Sequence, residues 1–260
     1  MQRIYKYPKT YHLKGSGLSN QSKEKVPFSR IASRYLVVEE KVDGTNVAIS
    51  FDSAGELQLQ SRGHFLTGGI TESHFSLFKQ WAYGLQTELY LVLSDRYILY
   101  GEWLYAKHTV FYNALPHYFL EYDVLDTETG SFLSTRKRQS LLKELPIYSV
   151  PVLFSGTVES YSEITSLVGQ SNYIKPGHLT ELTNISKNLN LDPARTLTET
   201  DNSETMEGLY IKVEEDGIVK ERYKYIREEF IQNILNSGGH WQDRKTIANQ
   251  LVNNSNPSLN

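Results

Sequence analysis

Between Tyr35 and Ser61 the chain alternates strand-like runs with turn signals, and this limits its fold more than any other feature. Tyr35-Leu36-Val37-Val38-Glu39-Glu40 is rich in β-branched residues and leads to Asp43-Gly44. Val47-Ala48-Ile49-Ser50-Phe51 alternates up to Gly55-Glu56, and Leu57-Gln58-Leu59-Gln60-Ser61 repeats with period two. Runs of this kind, bounded by Gly and Asp, suit half-buried strands. Together they predict an antiparallel meander.

Further along, Phe75, Phe78, Ala82, Leu85 and Leu89 fall at helical spacing and predict a helix over 75–93. Residues 97–103 and 118–124 return to strand chemistry. Ser134 or Thr135 can cap a helix running to Leu145, with Pro146 as its stop. A short helix is expected over Ser162–Val168. From Gln170 to Glu204 the chain is polar and reads as irregular: a lid, a partner-binding insertion or a loop. Two more strands follow at 208–213 and 222–225, with Gly217 between them. Ile226, Phe230, Ile231, Ile234 and Leu235 then predict a helix ending at Gly238-Gly239, before a frayed tail over 253–260. The pattern is α+β and strand-rich, without the βαβ alternation of a doubly wound sheet.

With 260 residues there is room for one large domain, or a medium one with an appendage. The absence of cysteine excludes disulfides, thiolate catalysis and Cys-based zinc sites, and is compatible with a reducing cytoplasm, the expected location. No apolar run approaches the ~20 residues of a membrane span, and the first residues lack the apolar stretch of a secretory signal. A net charge of −3 speaks against a passive nucleic-acid binder but allows an enzyme with one basic groove. Lys6, Lys9 and Lys14, then Arg136-Lys137-Arg138, then Lys220 to Arg227 are the local basic clusters; taken singly, each reads as a solvated face. The 18 tyrosines suit strand packing first and base stacking second. His64, His74, His108 and His117 show no metal-ligand spacing and are assigned no role.

The chemistry concentrates in Glu40-Lys41-Val42-Asp43-Gly44-Thr45-Asn46. Lys41 follows an apolar strand and precedes a turn, so its amine is expected to project from a sheet end into a cleft. Burial or neighbouring cations would let it lose its proton more readily than an ordinary lysine and act as a nucleophile. Asp43 lies two residues on, Gly44 permits the turn, and Asn46 offers an amide to a sugar or phosphate. Alone, Lys-x-Asp-Gly reads equally well as a solvated β-turn.

Five further elements follow in order: Ser61-Arg62, Tyr100-Gly101-Glu102, Phe119-Leu120-Glu121-Tyr122-Asp123, Glu207-Gly208-Leu209 and Arg222-Tyr223-Lys224. With Lys41-Val42-Asp43-Gly44 they resemble the covalent nucleotidyltransferase superfamily, and most closely the ATP-dependent RNA ligases like the second ligase of bacteriophage T4, over about Val37 to Lys224. The resemblance implies an α+β nucleotidyltransferase (ATP-grasp-like adenylation) domain of two antiparallel sheets flanked by helices, with the cleft between them. That domain would span residues 1–225, with a short helical C-terminal extension at 226–260.

The resemblance also implies roles. Lys41 would take AMP from ATP. Arg62 would contact the nucleotide phosphate or the incoming 5′-phosphate end. Glu102 would hold the ribose, Phe119 would stack on adenine, and Glu40 and Asn46 would join the nucleotide site. Glu207 would help bind Mg2+ (or Mn2+), and Lys224, with Arg222 or Lys220, would neutralise the triphosphate. Lys41, Lys224 and Arg62 form the implied catalytic set. The partners implied are RNA ends, a 5′-phosphate and a 3′-hydroxyl, with no membrane and a monomer favoured. Arg222 stands where the family usually has Lys, and no OB-like segment follows Lys224. A DNA ligase, a GTP-dependent capping nucleotidyltransferase and a non-catalytic nucleic-acid-binding relative are the alternatives.

Overall fold

The Asp43-Gly44 turn does not fold its flanking strands onto each other. In the computed structural model, which describes residues 4–17, 25–236 and 245–252, the strands before and after it belong to different halves of one sheet. The strands are β1 (Tyr11–Leu13), β2 (Lys25–Val26), β3 (Leu36–Lys41), β4 (Thr45–Phe51), β5 (Leu57–Ser61), β6 (Tyr97–Trp103), β7 (Phe119–Asp126), β8 (Ser131–Leu133), β9 (Tyr148–Ser149), β10 (Val152–Gly156), β11 (Gly208–Glu215) and β12 (Ile218–Ile226). The helices are α1 (Ser76–Gly84), α2 (Gln86–Leu93), α3 (Thr135–Leu142), α4 (Tyr161–Thr165), α5 (His178–Asn188), α6 (Pro193–Thr198) and α7 (Glu228–Asn236).

Along the sheet the order is β10-β3-β11-β12-β8-β7-β6-β4-β5, and every neighbouring pair on that path is antiparallel. The expected two antiparallel sheets are therefore its two halves, joined through the three-residue β8. The meander is half correct. β4 and β5 form a hairpin, but β3 pairs with β10 and β11 and not with β4. The chain crosses between the halves at 42–44, and the nucleophile candidate ends the strand before the crossing.

Each half carries its own core. Val47, Ile49, Leu99, Phe119 and Val124 pack with Phe78, Leu89 and Leu93 of α1 and α2 and with Phe230 and Ile231 of α7. Leu36, Val38, Leu209, Ile211, Val213 and Tyr223 pack with Leu13 and Ile164 in the other. The pleat of β3 follows from this. Leu36, Val38 and Glu40 turn one way, while Glu39 and Lys41 turn the other, as period two requires.

Several local expectations are corrected. The single helix over 75–93 breaks between Gly84 and Gln86 into α1 and α2. The helix after Ser134 ends at Leu142, and it is Glu214 that bonds its first turn, accepting from the Thr135 N–H at 2.7 Å and its hydroxyl at 2.6 Å. The stretch 170–204 is not irregular. It holds α5 and α6, whose Leu182 packs with Phe111 and Ile247. Asp216-Gly217, both at positive φ, make the tight turn between β11 and β12. After α7, residues 245–252 are extended and bridge to Ala106 and Leu115. The expected Gly238-Gly239 helix end and the 253–260 tail lie outside the described residues. Among the described residues no helix is long and apolar enough to cross a membrane.

Candidate active site

A cleft of about 1190 Å3 opens where the two halves diverge. β3 supplies Lys41, the crossing turn supplies Gly44, and β4 supplies Thr45 and Asn46. Glu102, paired with Asn46 across β4 and β6, and Lys224 on β12 complete its floor, with Arg62 at the end of β5 on its rim.

Lys41 Nζ lies 2.8 Å from both carboxylate oxygens of Glu207, the residue that begins the turn into β11. Burial pulls the lysine down, but Glu207, Glu102 and Asp43 outweigh it and hold Lys41 above the ordinary lysine value. The expectation of a readily deprotonated lysine is thus reversed: the nearest partners are anions, not cations. Those anions are strained in turn. Burial pushes Glu102 up to about 8, with Lys41 opposing and Glu207 and Asp43 adding. It pushes Glu207 up to about 7, again opposed by Lys41. Lys224 moves the other way, brought down to about 8 by burial and by Lys41, with Glu207 opposing.

The Asp43 carboxylate is held by the loop after β6. Its Oδ2 accepts from the Thr109 and Val110 N–H groups at 2.7 and 3.0 Å, and the His108 ring lies 3.8 Å from its other oxygen. Gly44 owes its place to close approach. A Cβ there would meet Leu104 Cδ2 at 2.6 Å and the Trp103 carbonyl at 2.8 Å.

Four residues expected in the site are elsewhere. Phe119 is fully buried among Phe78, Trp81 and Gly101, so no base can stack on it. A bulge in β7 explains the error. Tyr100 pairs with Asp123 but Gly101 pairs with Glu121, and the extra residue, Tyr122, is re-aimed into the cleft, where its hydroxyl accepts from Asn46 Nδ2. Glu40 turns to the opposite face of β3, bonded to Ser171 Oγ at 2.5 Å and Asn172 Nδ2 at 2.7 Å. Lys220 sits near the β11–β12 turn, 3.6 Å from Asp216. Arg222 is buried 2.9 Å from Asp123 with its guanidinium on the Phe132 ring. It belongs to a buried charge network in which Lys212 pairs with Glu39 and Asp123, and Arg138 with Glu39.

The sequence reading missed the N-terminal segment. Tyr7, Lys9, Thr10 and His12 line the cleft because β1 runs parallel to β12, setting His12 beside Lys224. Burial and then Lys224 and Lys41 lower His12 to about 4, so it is neutral at physiological pH. His64, His74 and His108 also line the cleft, as do Lys245 and Thr246. Lys9 was noted only as part of a basic cluster, and His64, His74 and His108 were assigned no role. Tyr7, Thr10 and His12 had no local signal, since long-range pairing brings that segment there.

Among the described residues no group of three or more His, Asp or Glu side chains is arranged to hold a metal. The donors present are the carboxylates of Glu102 and Glu207, in a site that also holds Lys41, Lys224 and Arg62. That fits a hard cation carried in by a polyphosphate, which needs only one or two protein oxygens.

A strand-end lysine sits between carboxylates and cations, in a cleft between two halves of an antiparallel sheet. A sequence model of the family described as RNA ligase matches residues 34–226, and the chain belongs to that family. Two solved structures of a Naegleria gruberi RNA ligase share the fold. A lysine-to-alanine variant with ATP and Mn is 17% identical, with a TM-score of 0.50 over 80% of this chain and 54% of that one. A glutamate-to-alanine variant with AMP and Mn is 17% identical, with a TM-score of 0.51 over 88% and 57%. The chain thus spans a little over half the length of these structures. No curated protein sequence matches it.

Proposed function

We propose that the protein is an ATP-dependent RNA ligase that joins a 5′-phosphate to a 3′-hydroxyl through a lysyl-AMP at Lys41. One observation carries the reading most: Lys41, Glu207, Glu102, Asn46, Arg62 and Lys224 come from six strands or their ends, yet five of them line one cleft and Glu207 pairs with Lys41 there. Membership of the RNA ligase family supports it, as do fold neighbours solved with ATP or AMP.

In the first step Lys41 Nζ attacks the α-phosphorus of ATP. Because Lys41 rests as an ammonium, it must first give up one proton to become a nucleophile. The N–P bond then forms as the bond to pyrophosphate breaks, and the second proton lost from the nitrogen leaves with pyrophosphate or to solvent. Glu207, 2.8 Å away and pushed up to about 7, is placed to take the first of these, the ammonium proton. Lys224 and Arg62 would stabilise charge on the phosphates, the main demand of such transfers. Asn46 and Glu102, adjacent on β4 and β6, would orient the ribose. A divalent cation, Mg2+ or Mn2+, would be held by Glu207 or Glu102 and would neutralise the polyphosphate. AMP then passes from Lys41 to the RNA 5′-phosphate and is expelled when the 3′-hydroxyl attacks.

Labelling with radioactive ATP or GTP and Mg2+, in wild type and Lys41→Ala, tests this. Label from ATP alone, lost in the variant, is expected. Label from GTP instead would point to a capping enzyme, and full label in the variant would remove Lys41 from the chemistry.

A further inference from the structure

Residues 245–252 form an extended strap across the loop that follows β6. The backbone stitches it down: Lys107 N–H donates to the Ile247 carbonyl at 2.8 Å, Gln250 N–H to Tyr112 at 2.8 Å, and Leu115 N–H to Gln250 at 3.0 Å. At its centre Asn249 is completely buried. Its Oδ1 accepts from the Tyr112 N–H at 2.9 Å, and its Nδ2 donates to the Leu104 carbonyl at 2.7 Å. Its own N–H donates to Tyr105 at 2.9 Å, and its carbonyl accepts from the Tyr118 hydroxyl at 3.0 Å. A side-chain amide donates and accepts at once from two separate atoms; an ionised acid lacks the donor and an aliphatic chain lacks both.

What Asn249 grips is the loop that holds the turn after Lys41. Thr109 and Val110 donate to the Asp43 carboxylate, and the Tyr112 hydroxyl accepts from the Asp43 N–H at 2.8 Å. Tyr112 is therefore bonded to Asn249 through its backbone and to Asp43 through its side chain. Two links separate Asn249 from the residue two places beyond the nucleophile. Packing alone would not need this. Ile247 already anchors the strap against Phe111 and Leu182.

We infer that Asn249 is a positioning residue for Lys41, acting through Tyr112 and Asp43 to fix where Nζ meets the α-phosphorus. The inference rests on the reading of Lys41 as the nucleophile. Displacing a reacting group by about 1 Å can cost on the order of 100-fold in rate, so the effect belongs in the transfer step rather than in ATP affinity.

The test uses the full chain with Asn249→Ala, Tyr112→Phe and the double variant. Single-turnover labelling from ATP and Mg2+ gives the transfer rate and the ATP dependence, with the melting temperature followed alongside. We expect each single change to slow transfer, by roughly 10- to 100-fold for Asn249→Ala, with the ATP concentration for half-maximal rate little changed. Because both cut one chain of contacts, the double variant should be no slower than the worse single. Unchanged transfer with a lower melting temperature would leave Asn249 a packing residue only. A raised ATP requirement at unchanged maximal rate would assign the strap, through Lys245 and Thr246, to binding instead, and rates that multiply would break the proposed route. Should Asn249→Ala not fold, Tyr112→Phe decides: wild-type transfer there overturns the inference. Wild-type protein that takes no label from ATP overturns the reading of Lys41 itself, a separate outcome.

Discussion

Lys41 and Glu207 form a two-oxygen ion pair across β3 and the start of β11, both contacts at 2.8 Å. The pair keeps Lys41 protonated in the ligand-free chain, because Glu207 and its neighbours outweigh the effect of burial on the amine. Glu207→Gln removes the strongest of those anions. Lys41 should then be acylated faster than in wild type by a small amine-directed reagent at neutral pH, read by peptide mass spectrometry. Equal or slower modification would show that Glu207 does not control the amine.

The same carboxylates set a pH dependence of stability. Glu207 and Glu102 hold their protons to about 7 and about 8 in the folded chain, against 4.5 ordinarily. Between those limits the unfolded chain has lost protons that the folded chain keeps, so stability falls as pH rises from about 4.5 to about 8. Lys224, lowered to about 8, works above that window, where its cost fades as both states lose the proton. Urea unfolding of ligand-free protein should show the decline between pH 5 and 8. Glu207→Gln should flatten its part, on the order of 2 kcal/mol, and a variant with the wild-type slope would contradict the assignment.

Arg222 and Lys224 stand two residues apart on β12, and their substitutions should separate stability from activity. Arg222 is buried against Asp123, which Lys212, Arg222 and Arg138 hold at about 2 despite its burial. Arg222→Ala leaves that charge short of a partner and should cost about 3–5 kcal/mol in denaturant unfolding. Lys224→Ala relieves a lysine that burial already disfavours, so it should leave stability nearly unchanged and abolish labelling from ATP. Similar unfolding midpoints for the two variants would refute this division.

What could be read from the sequence, and what could not, follows from the range of the interactions. The strand at 36–41 and the hairpin at 45–61 were legible, because period two is local. Lys41, Asn46, Arg62, Glu102, Lys224 and Glu207 were all legible as motif residues, and the structure brings them to one cleft or to Lys41 itself. The partner of β3 was not legible, since β10 and β11 lie more than a hundred residues away. Nor was His12, which reaches the cleft through a parallel pair with β12. Glu40 was misread because motif adjacency ignores the pleat, which turns neighbours to opposite faces. Helices α5 and α6 were hidden by polar surface residues that outnumber the apolar positions on which they pack.

Phe119 was misread for a subtler reason, a single extra residue in β7, and this gives a direct contrast. Phe119→Ala should destabilise by about 3–5 kcal/mol, since the ring fills a closed aromatic core. Phe119→Leu should fold and take label with an unchanged ATP requirement, whereas Tyr122→Leu should raise that requirement by exposing Asn46's unmet donor in the cleft. A higher ATP requirement for Phe119→Leu at normal stability would restore Phe119 as a base platform.

Gly44 offers the sharpest test of where the crossing turn gets its shape. Its backbone is not at positive φ, so an alanine would not be strained by conformation. The obstacle is contact: an added Cβ falls within 3 Å of Leu104, the Trp103 carbonyl and Glu102 Cγ. One of those is backbone of β6, which cannot yield without moving the strand that carries Glu102. Gly44→Ala should therefore cost about 1–3 kcal/mol and slow labelling from ATP more than that loss implies, because the methyl pushes Lys41 and Glu102 apart. Unfolding in urea and the single-turnover rate, measured on the same preparation, check both halves. A variant as active and as stable as wild type would mean that the turn and β6 are not in the tight contact described.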